Sequence, residues 1–430
     1  LAEGQVTPLR RVVMASLIGT TIEWYDFFLY GSAAALVFNR LFFPSYDPLT
    51  GTLLAFATYA LGFVARPVGG IVFGHYGDRI GRKRLLMLSL VLMGVATVLI
   101  GVLPTYAQIG VWAPALLIAL RLVQGFAVGG EWGGAVLMAA EHGDAARRGF
   151  WASWPQAGVP GGNLLATGML ALMAAIQSDA DFLAWGWRIP FLVSAVLVAV
   201  GWYIRNRVGE SRVFADALAE TEAPPTLPAI DVVRERPGAI LLGAGLRLGE
   251  NISYYILTVV SLTFLVDVFH RSRGLALNAL LIGAAVQLVA IPLFARLSDR
   301  IGRRPVYAFG GFGLAAWSFL LFPLLASGDQ ARIALALVVG LTLHGAMYGP
   351  QAAMIVELFP TRIRYSGVSI AYQLTSIVAG SLAPIIAVWL YRTTGSTVPV
   401  ALYVATACAI SGVTALLARE TKGVELSEIR

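Results

Sequence analysis

Glu23, Asp26, Arg66, Arg121, Glu131, Arg247, Glu250 and His344 all fall inside long apolar stretches of the chain. An ionisable side chain in such surroundings costs roughly 3 kcal/mol or more unless it is paired or put to use. Two kinds of chemistry suit these residue types. Buried carboxylates and imidazoles can carry a proton, which makes Glu23, Asp26, Glu131, Glu250 and His344 candidate proton-coupling groups. Glu23 and Asp26 lie one helical turn apart, close enough to favour holding a proton between them. Desolvated guanidinium groups match a carboxylate with a two-pronged fork, which makes Arg121 and Arg247 candidate anchors for an anionic cargo. Arg66, beside Pro67, reads either as a ligand contact or as a structural partner of Glu23 or Asp26. Glu131 sits among glycines and reads equally as a structural hydrogen-bonding group, and His344 equally as a packed histidine. Tyr30, Tyr254 and Tyr255 are candidate cavity-lining groups, with packing or an interfacial belt as the alternative. Arg188, next to Trp187, reads as an interfacial anchor.

Positioning these groups falls to apolar helices. A bilayer core about 30 Å thick takes about 20 residues of helix. Runs of that kind are predicted near 12–38, 52–77, 85–103, 114–141, 149–176 and 187–208, and again near 239–266, 274–297, 306–326, 332–358, 365–391 and 397–418. At 1.5 Å per residue, Glu23, Arg66, Glu131 and Glu250 fall about 16 Å from one face, near the midplane, and His344 lies within a turn of that level. The spans group as 1–208 and 238–418, joined by a proline-containing linker at 209–237 with a short surface helix expected at 211–220, and followed by a tail at 419–430. Lys and Arg concentrate in alternate loops. Only Arg40, Arg271, Arg273, Arg332 and Arg392 fall on the other side, so both termini are expected in the cytoplasm.

Composition restricts the function classes. Of 430 residues, 58% are hydrophobic and 13% charged, against roughly a quarter charged in soluble domains. The single cysteine, Cys408, precludes an intramolecular disulfide framework. The net charge of +7 sits in short loops between apolar runs, where membrane orientation accounts for it without nucleic acid. The first apolar run is long enough to remain as an anchor, so no cleavable signal peptide is expected. The chain has no HExxH, GxSxG, P-loop or Cys-His metal spacing, so neither an enzyme nor a metal centre is expected. No cofactor is expected beyond a proton gradient. The expected partners are a small-molecule substrate, protons and lipid, with the chain acting as a monomer.

An internal repeat defines a second set of charges. Asp78-Arg79-Ile80-Gly81-Arg82 recurs as Asp299-Arg300-Ile301-Gly302-Arg303, each copy after the second span of its half. Glu141 with Arg147 and Arg148, and Glu357 with Arg362 and Arg364, form a second matched pair. Two equivalent six-helix halves are a transporter design. Asp78, Arg82, Glu141, Arg148, Asp299, Arg303, Glu357 and Arg364 are therefore the candidate cytoplasmic gate, with a purely topological role as the alternative.

Gly74-x-x-x-Asp78-Arg79-x-Gly81-Arg82-Lys83 resembles the loop signature of the major facilitator superfamily. Gly19-Thr20-x-x-Glu23-Trp24-Tyr25-Asp26-Phe27, Ala65-Arg66-Pro67-x-Gly69-Gly70, Arg121-x-x-Gln124-Gly125, Gly129-Gly130-Glu131-x-Gly133-Gly134 and Gly186-Trp187-Arg188-x-Pro190-Phe191 resemble its metabolite:proton symporter branch. Residues 30–40 and Arg247-Leu248-x-Glu250 look similar to shikimate-transporter-like members. The resemblance implies an all-α polytopic membrane protein with twelve transmembrane helices in two pseudo-symmetric halves. It further implies proton-coupled import of a small organic acid across a bacterial inner membrane, with a betaine- or proline-type zwitterion, or export, as alternatives. Two departures stand out. Ala295 replaces the glycine found at Gly74, suggesting looser packing of the second loop, and Gly158-Val159-Pro160-Gly161-Gly162 stands where antiporters carry their own signature.

Overall fold

The computed structural model describes residues 9–80, 82–129, 136, 139, 140, 144–207, 232, 234–360 and 363–426, with side chains except at 9–12, 15, 70, 71, 73–80, 82–86, 204–207 and 365. Twelve helical spans run through the chain. They are α1 (Leu9–Ala33), α2 (Pro48–Ile80), α3 (Arg82–Val102), α4 (Trp112–Val128), α5 (Arg148–Ile176), α6 (Arg188–Arg207), α7 (Pro237–Tyr255), α8 (Arg273–Ile301), α9 (Arg303–Ala326), α10 (Gln330–Val356), α11 (Arg364–Thr375) and α12 (Val398–Leu417). The sequence-predicted spans match within a few residues, except that the last part of 114–141 lies outside the described residues. So do most of the expected linker and its surface helix at 211–220.

Eight of these spans are individually long and apolar enough to cross a bilayer. α6 is the outer arm of a pair bent by 46°, and α3 and α4 carry shorter apolar stretches. α1, with its two acids, completes the set. Three spans continue through a π-helical turn: α1 through Ala34–Phe38, α7 through Ile256–Val260 and Phe264–Val268, and α11 through Ser376–Ser381, after which helix resumes at Leu382–Thr394. Such turns re-aim side chains and collect at functional sites. Among those eight, α7 is the most enclosed, with 83% of its apolar window buried against 44% for α9 and α12. α7 thus belongs to the centre, while α9 and α12 present apolar side chains to the outside.

α1 packs on α5, α2 on α4 and α3 on α6 in the first half. In the second, α8 packs on α10, α9 on α10 and α12, and α7 on α12 and α11. The halves meet along two seams: α5 against α8 and α10, and α2 against α11. The end bearing the repeated loops is called the basic end below.

The α2–α4 contact decides where Arg121 points. A Cβ on Gly125 would lie 1.9 Å from the Gly62 carbonyl oxygen, and one on Gly69 would lie 1.9 Å from that of Phe126. Only hydrogen fits at these crossings, so the backbones touch and Arg121 is laid across α2. Gly125→Ala should part the helices at a cost of about 1–3 kcal/mol. A lowered unfolding temperature in detergent is expected, with little change for Gly238→Ala, where the added carbon meets nothing within 4 Å.

Candidate substrate and proton site

Arg121 projects from α4 into a box of aromatic rings. Its guanidinium carbon lies 4.3 Å from the Tyr30 ring centre, 4.6 Å from Tyr59 and 4.8 Å from Phe27. Nη1 donates to Gln124 Oε1 at 3.1 Å, and Nε donates to the Tyr59 carbonyl at 3.4 Å. Nη2 is buried with no hydrogen-bond partner. A guanidinium nitrogen held this way, 1% exposed, is a donor awaiting an acceptor, because an unmet buried donor carries the full cost of its desolvation.

A row of polar side chains leads from Arg121 back towards Asp26. Gln124 Nε2 donates to Thr97 Oγ1 at 2.7 Å. Thr97 donates its hydroxyl proton to the Met93 carbonyl at 2.9 Å and lies beside the Asp26 carboxylate, which accepts from Ser194 Oγ at 2.6 Å. Asp26 therefore faces α3 and α6, inside its own half, with Thr97 and Gln124 lying between it and Arg121. Glu23 is buried one turn away. Tyr30 shares a 2.7 Å hydrogen bond with Thr58, which fixes one wall of the box. Arg66 lies over Phe27 and Phe63, 4.5 Å from each centre, with its Nε unpartnered.

The second half places a different cluster at the same level. Arg247 Nη1 pairs with Glu250 at 2.7 Å and reaches Gln351 Oε1 at 3.2 Å. Nη2 donates to Ser376 Oγ at 3.2 Å, and the guanidinium stacks 3.4 Å over the Tyr372 ring centre. The other Glu250 oxygen meets His344 Nε2 at 3.1 Å, and His344 Nδ1 meets Gln287 Nε2 at 2.7 Å. The Tyr254 and Tyr348 rings flank the imidazole at 4.8 and 5.4 Å. Arg247 is thus committed to its own half. Of the two guanidinium groups expected to hold an anion, Arg121 is the one with an uncommitted edge. Between the clusters, Tyr255 meets Phe63 at 5.7 Å and Tyr59 at 6.1 Å, and Tyr254 meets Phe28 at 5.5 Å. Rings from both halves close the space between Arg121 and Arg247. Glu131 lies outside the described residues.

At the basic end, charges cross the seam. Arg148 Nη1 pairs with Glu357 at 2.9 Å. Asp299 accepts from the backbone N–H groups of Gly149 at 2.9 Å and Phe150 at 2.8 Å, so it caps the first turn of α5 from the opposite half. Arg303 pairs with Asp299 and reaches Glu357 at 3.4 Å. Arg364 instead donates to the carbonyls of Phe359 and Leu426 at 3.0 and 2.8 Å. Asp78 and Arg82 lie among the side chains not described, and Glu141 outside the described residues. The expected looseness around Ala295 is corrected. Ala295 is fully buried, a Cβ on Gly349 would lie 3.0 Å from its backbone nitrogen, and a Cβ on Gly149 would sit 2.3 Å from Arg303 Nη1. A glycine on each facing helix makes room for it.

The tail completes this end. Glu420 accepts from the N–H groups of Arg303 and Arg304 at 3.0 and 3.1 Å, and Arg148 donates to the Val424 carbonyl at 2.9 Å. Burial works against the Glu420 charge, but the backbone N–H groups of Arg303, Arg304, Lys422 and Thr421 outweigh it and hold the carboxyl below the usual range. The opposite end is also tied across the seam. Arg273 pairs with Asp179 at 2.8 Å, Arg392 with Asp47 at 3.3 Å and Arg40 with Asp267 at 3.6 Å. Arg188 donates to the carbonyls of Gly101 and Leu103 at 2.9 and 2.7 Å, pinning the end of α3.

Asp299→Asn keeps the shape but loses the charge that pairs with Arg303 and the α5 terminus. The contact crosses the seam, so if this end opens the contact must break, and the substitution should then favour the open state by about 1–3 kcal/mol. Ala152, fully buried near this seam, supplies the reporter. Alkylation of an Ala152→Cys protein should speed up severalfold with Asp299→Asn. An unchanged rate would leave these charges as topology signals only.

The sequence profile described as "Sugar (and other) transporter" matches residues 12–223 and 234–430. The shikimate transporter of Escherichia coli K12 is 42% identical over 417 residues, covering 96% of this chain and 95% of that protein. The inner membrane metabolite transport protein YhjE of the same organism is 40% identical, covering 98% and 97%. The E. coli K12 proline/betaine transporter is 33% identical, covering 96% and 84%. A crystal structure of a D-xylose-proton symporter superposes with a TM-score of 0.74 at 19% identity, covering 97% of this chain and 99% of that one, which is a likeness of fold. The chain belongs to the major facilitator superfamily, with shikimate-transporter-like proteins as relatives, and is a multi-pass membrane transporter of a small molecule rather than an enzyme.

Proposed function

We propose that this protein imports a small organic acid across a bacterial inner membrane together with protons, by alternating access, with its basic end and both termini in the cytoplasm. The observation that carries the reading is the uncommitted Nη2 edge of Arg121, with Gln124 and Thr97 lying between it and Asp26. A cargo carboxylate fits the guanidinium edge. Its arrival adds a negative charge to a site where Asp26 already offsets Arg121, and a proton on Asp26 restores neutrality. Discharging the cargo on the low-proton side lets that proton leave as well.

Sidedness follows from the Lys and Arg excess at the end bearing the repeated loops. The 42% identity to a shikimate transporter supports an acidic cargo. The 33% relatives named for proline and betaine raise a zwitterion as the alternative. A quaternary ammonium seeks an aromatic cage, and the cage of Phe27, Tyr30 and Tyr59 is filled by Arg121 itself. A thermal-shift series of mono- and dicarboxylates, betaine, proline and neutral sugars tests the cargo class. Stabilisation by acids alone is expected. Stabilisation by betaine or a sugar, and not by acids, would overturn the reading.

A further inference from the structure

Gln287 on α8 holds the imidazole of His344 and does nothing else in the described structure. Its Nε2 lies 2.7 Å from His344 Nδ1, and its Oε1 is buried with no partner. An amide N–H donating to Nδ1 requires that nitrogen to be bare, so the ring proton sits on Nε2 and is donated to Glu250 at 3.1 Å. The ring is then neutral. The orphaned amide oxygen is the other half of the arrangement. Turned over, the amide keeps its outline and offers Oε1 to an Nδ1–H. His344 can then carry both protons, one donated to Glu250 and one to Gln287, with no ring movement, while the Gln287 NH2 takes the place of the orphaned oxygen. Few side chains at that position serve both states, because the partner must change from donor to acceptor in place.

We propose that Gln287 is a positioning residue for proton transport. By turning its amide over, it lets His344 take up and release a proton, so that the Arg247–Glu250–His344 cluster passes from net zero to one positive charge. The proton comes from and returns to water on whichever side is open, and no bond other than N–H is made or broken. Among the described residues, the groups that bear on His344 are few. From α7 they are Glu250, with Arg247 behind it, and the Tyr254 ring. From its own helix it meets Tyr348. α8 brings neutral Gln287 and carries no ionisable residue between Arg273 and Arg296. α5 carries none beyond Arg148, and α9 none beyond Tyr307 after its first turn. α11 brings Tyr372, which faces Arg247. Among the described residues the one anion at hand is already shared with Arg247, so the extra charge calls for an anion, the chemistry of a carboxylate cargo.

The inference rests on the proton-symport reading, and its test separates the two. The full-length protein is labelled with 15N-histidine and its ring nitrogens are followed by NMR against pH. The His344 signal, one of 4 histidines, is assigned by its loss in His344→Asn. In the native protein, Nε2 is expected to carry the proton in the neutral ring. Gln287→Glu offers Nδ1–H a permanent acceptor. The pH at which both nitrogens are protonated should rise by at least about one unit, which corresponds to about 1.4 kcal/mol. Gln287→Met offers neither donor nor acceptor and should lower it by a similar amount. In proteoliposomes, accumulation by both variants should fall at least about tenfold, and more than exchange does. If neither substitution moves the His344 protonation by more than a few tenths of a unit, the proposal is overturned. Gln287→Glu alone decides the matter if Gln287→Met does not fold. If the NMR shifts appear while native protein moves no protons with its cargo, Gln287 still governs the protonation of His344, but its transport role falls with the symport reading.

Discussion

Arg121→Ala abolishes high-affinity binding of the acidic cargo. The lost group is a buried cation whose free edge has no other candidate acceptor, and truncating one partner of a desolvated charge pair costs about 2–5 kcal/mol. At about 1.4 kcal/mol per tenfold change, affinity should fall by roughly 30-fold or more. Arg121→Lys separates charge from shape. A point charge that cannot form the fork and cannot reach both Gln124 and the Tyr59 carbonyl should recover only part of the affinity. Calorimetric titration of the purified protein with the acid that stabilises it measures both. Affinity within about threefold of native for Arg121→Ala would move the cargo site away from the aromatic box. Arg247 would then be the next guanidinium to test, after release from Glu250.

Asp26→Asn separates accumulation from exchange. Asn retains an oxygen for the Ser194 contact and mimics a permanently protonated carboxyl. Loading then no longer depends on a proton, and release no longer yields one. Uphill accumulation driven by a proton gradient should drop at least about tenfold, while exchange of labelled for unlabelled cargo at equal pH persists in part. Native accumulation by Asp26→Asn would shift the coupling role to Glu23 or to the Glu250–His344 pair.

The spans were legible because a helix in hydrocarbon must satisfy its backbone internally and cover it with apolar side chains. Length and hydropathy then locate it, and the recurrence of Asp299-Arg300-Ile301-Gly302-Arg303 fixed the two-half plan. The ionisable members of the site were legible for the related reason that a charge in an apolar run stands out. Residues that connect those charges were not. Thr97, Ser194, Gln287, Gln351 and Ser376 are neutral, cost little in an apolar run and have no spacing that marks them. Only packing shows that Gln287 meets His344, 57 residues away. Commitment was hidden too. Arg121 and Arg247 read alike in sequence, yet one pairs with an acid one turn along its own helix and the other is left with a free edge inside aromatic rings. The role of the tail was invisible for a third reason. Glu420 and Val424 act through contacts with Arg303, Arg304 and Arg148, and such contacts exist only once α12 has returned the chain to the basic end.

Proton movement driven by cargo is the most direct test of the account. Purified protein is reconstituted into liposomes with an internal pH dye and no imposed gradient, and a small organic acid is added outside at a pH where it is ionised. The account predicts acidification of the lumen that follows cargo entry, falls to the protein-free rate with Asp26→Asn, and is absent for betaine. Entry of the acid with no change in internal pH beyond that of protein-free liposomes would contradict it.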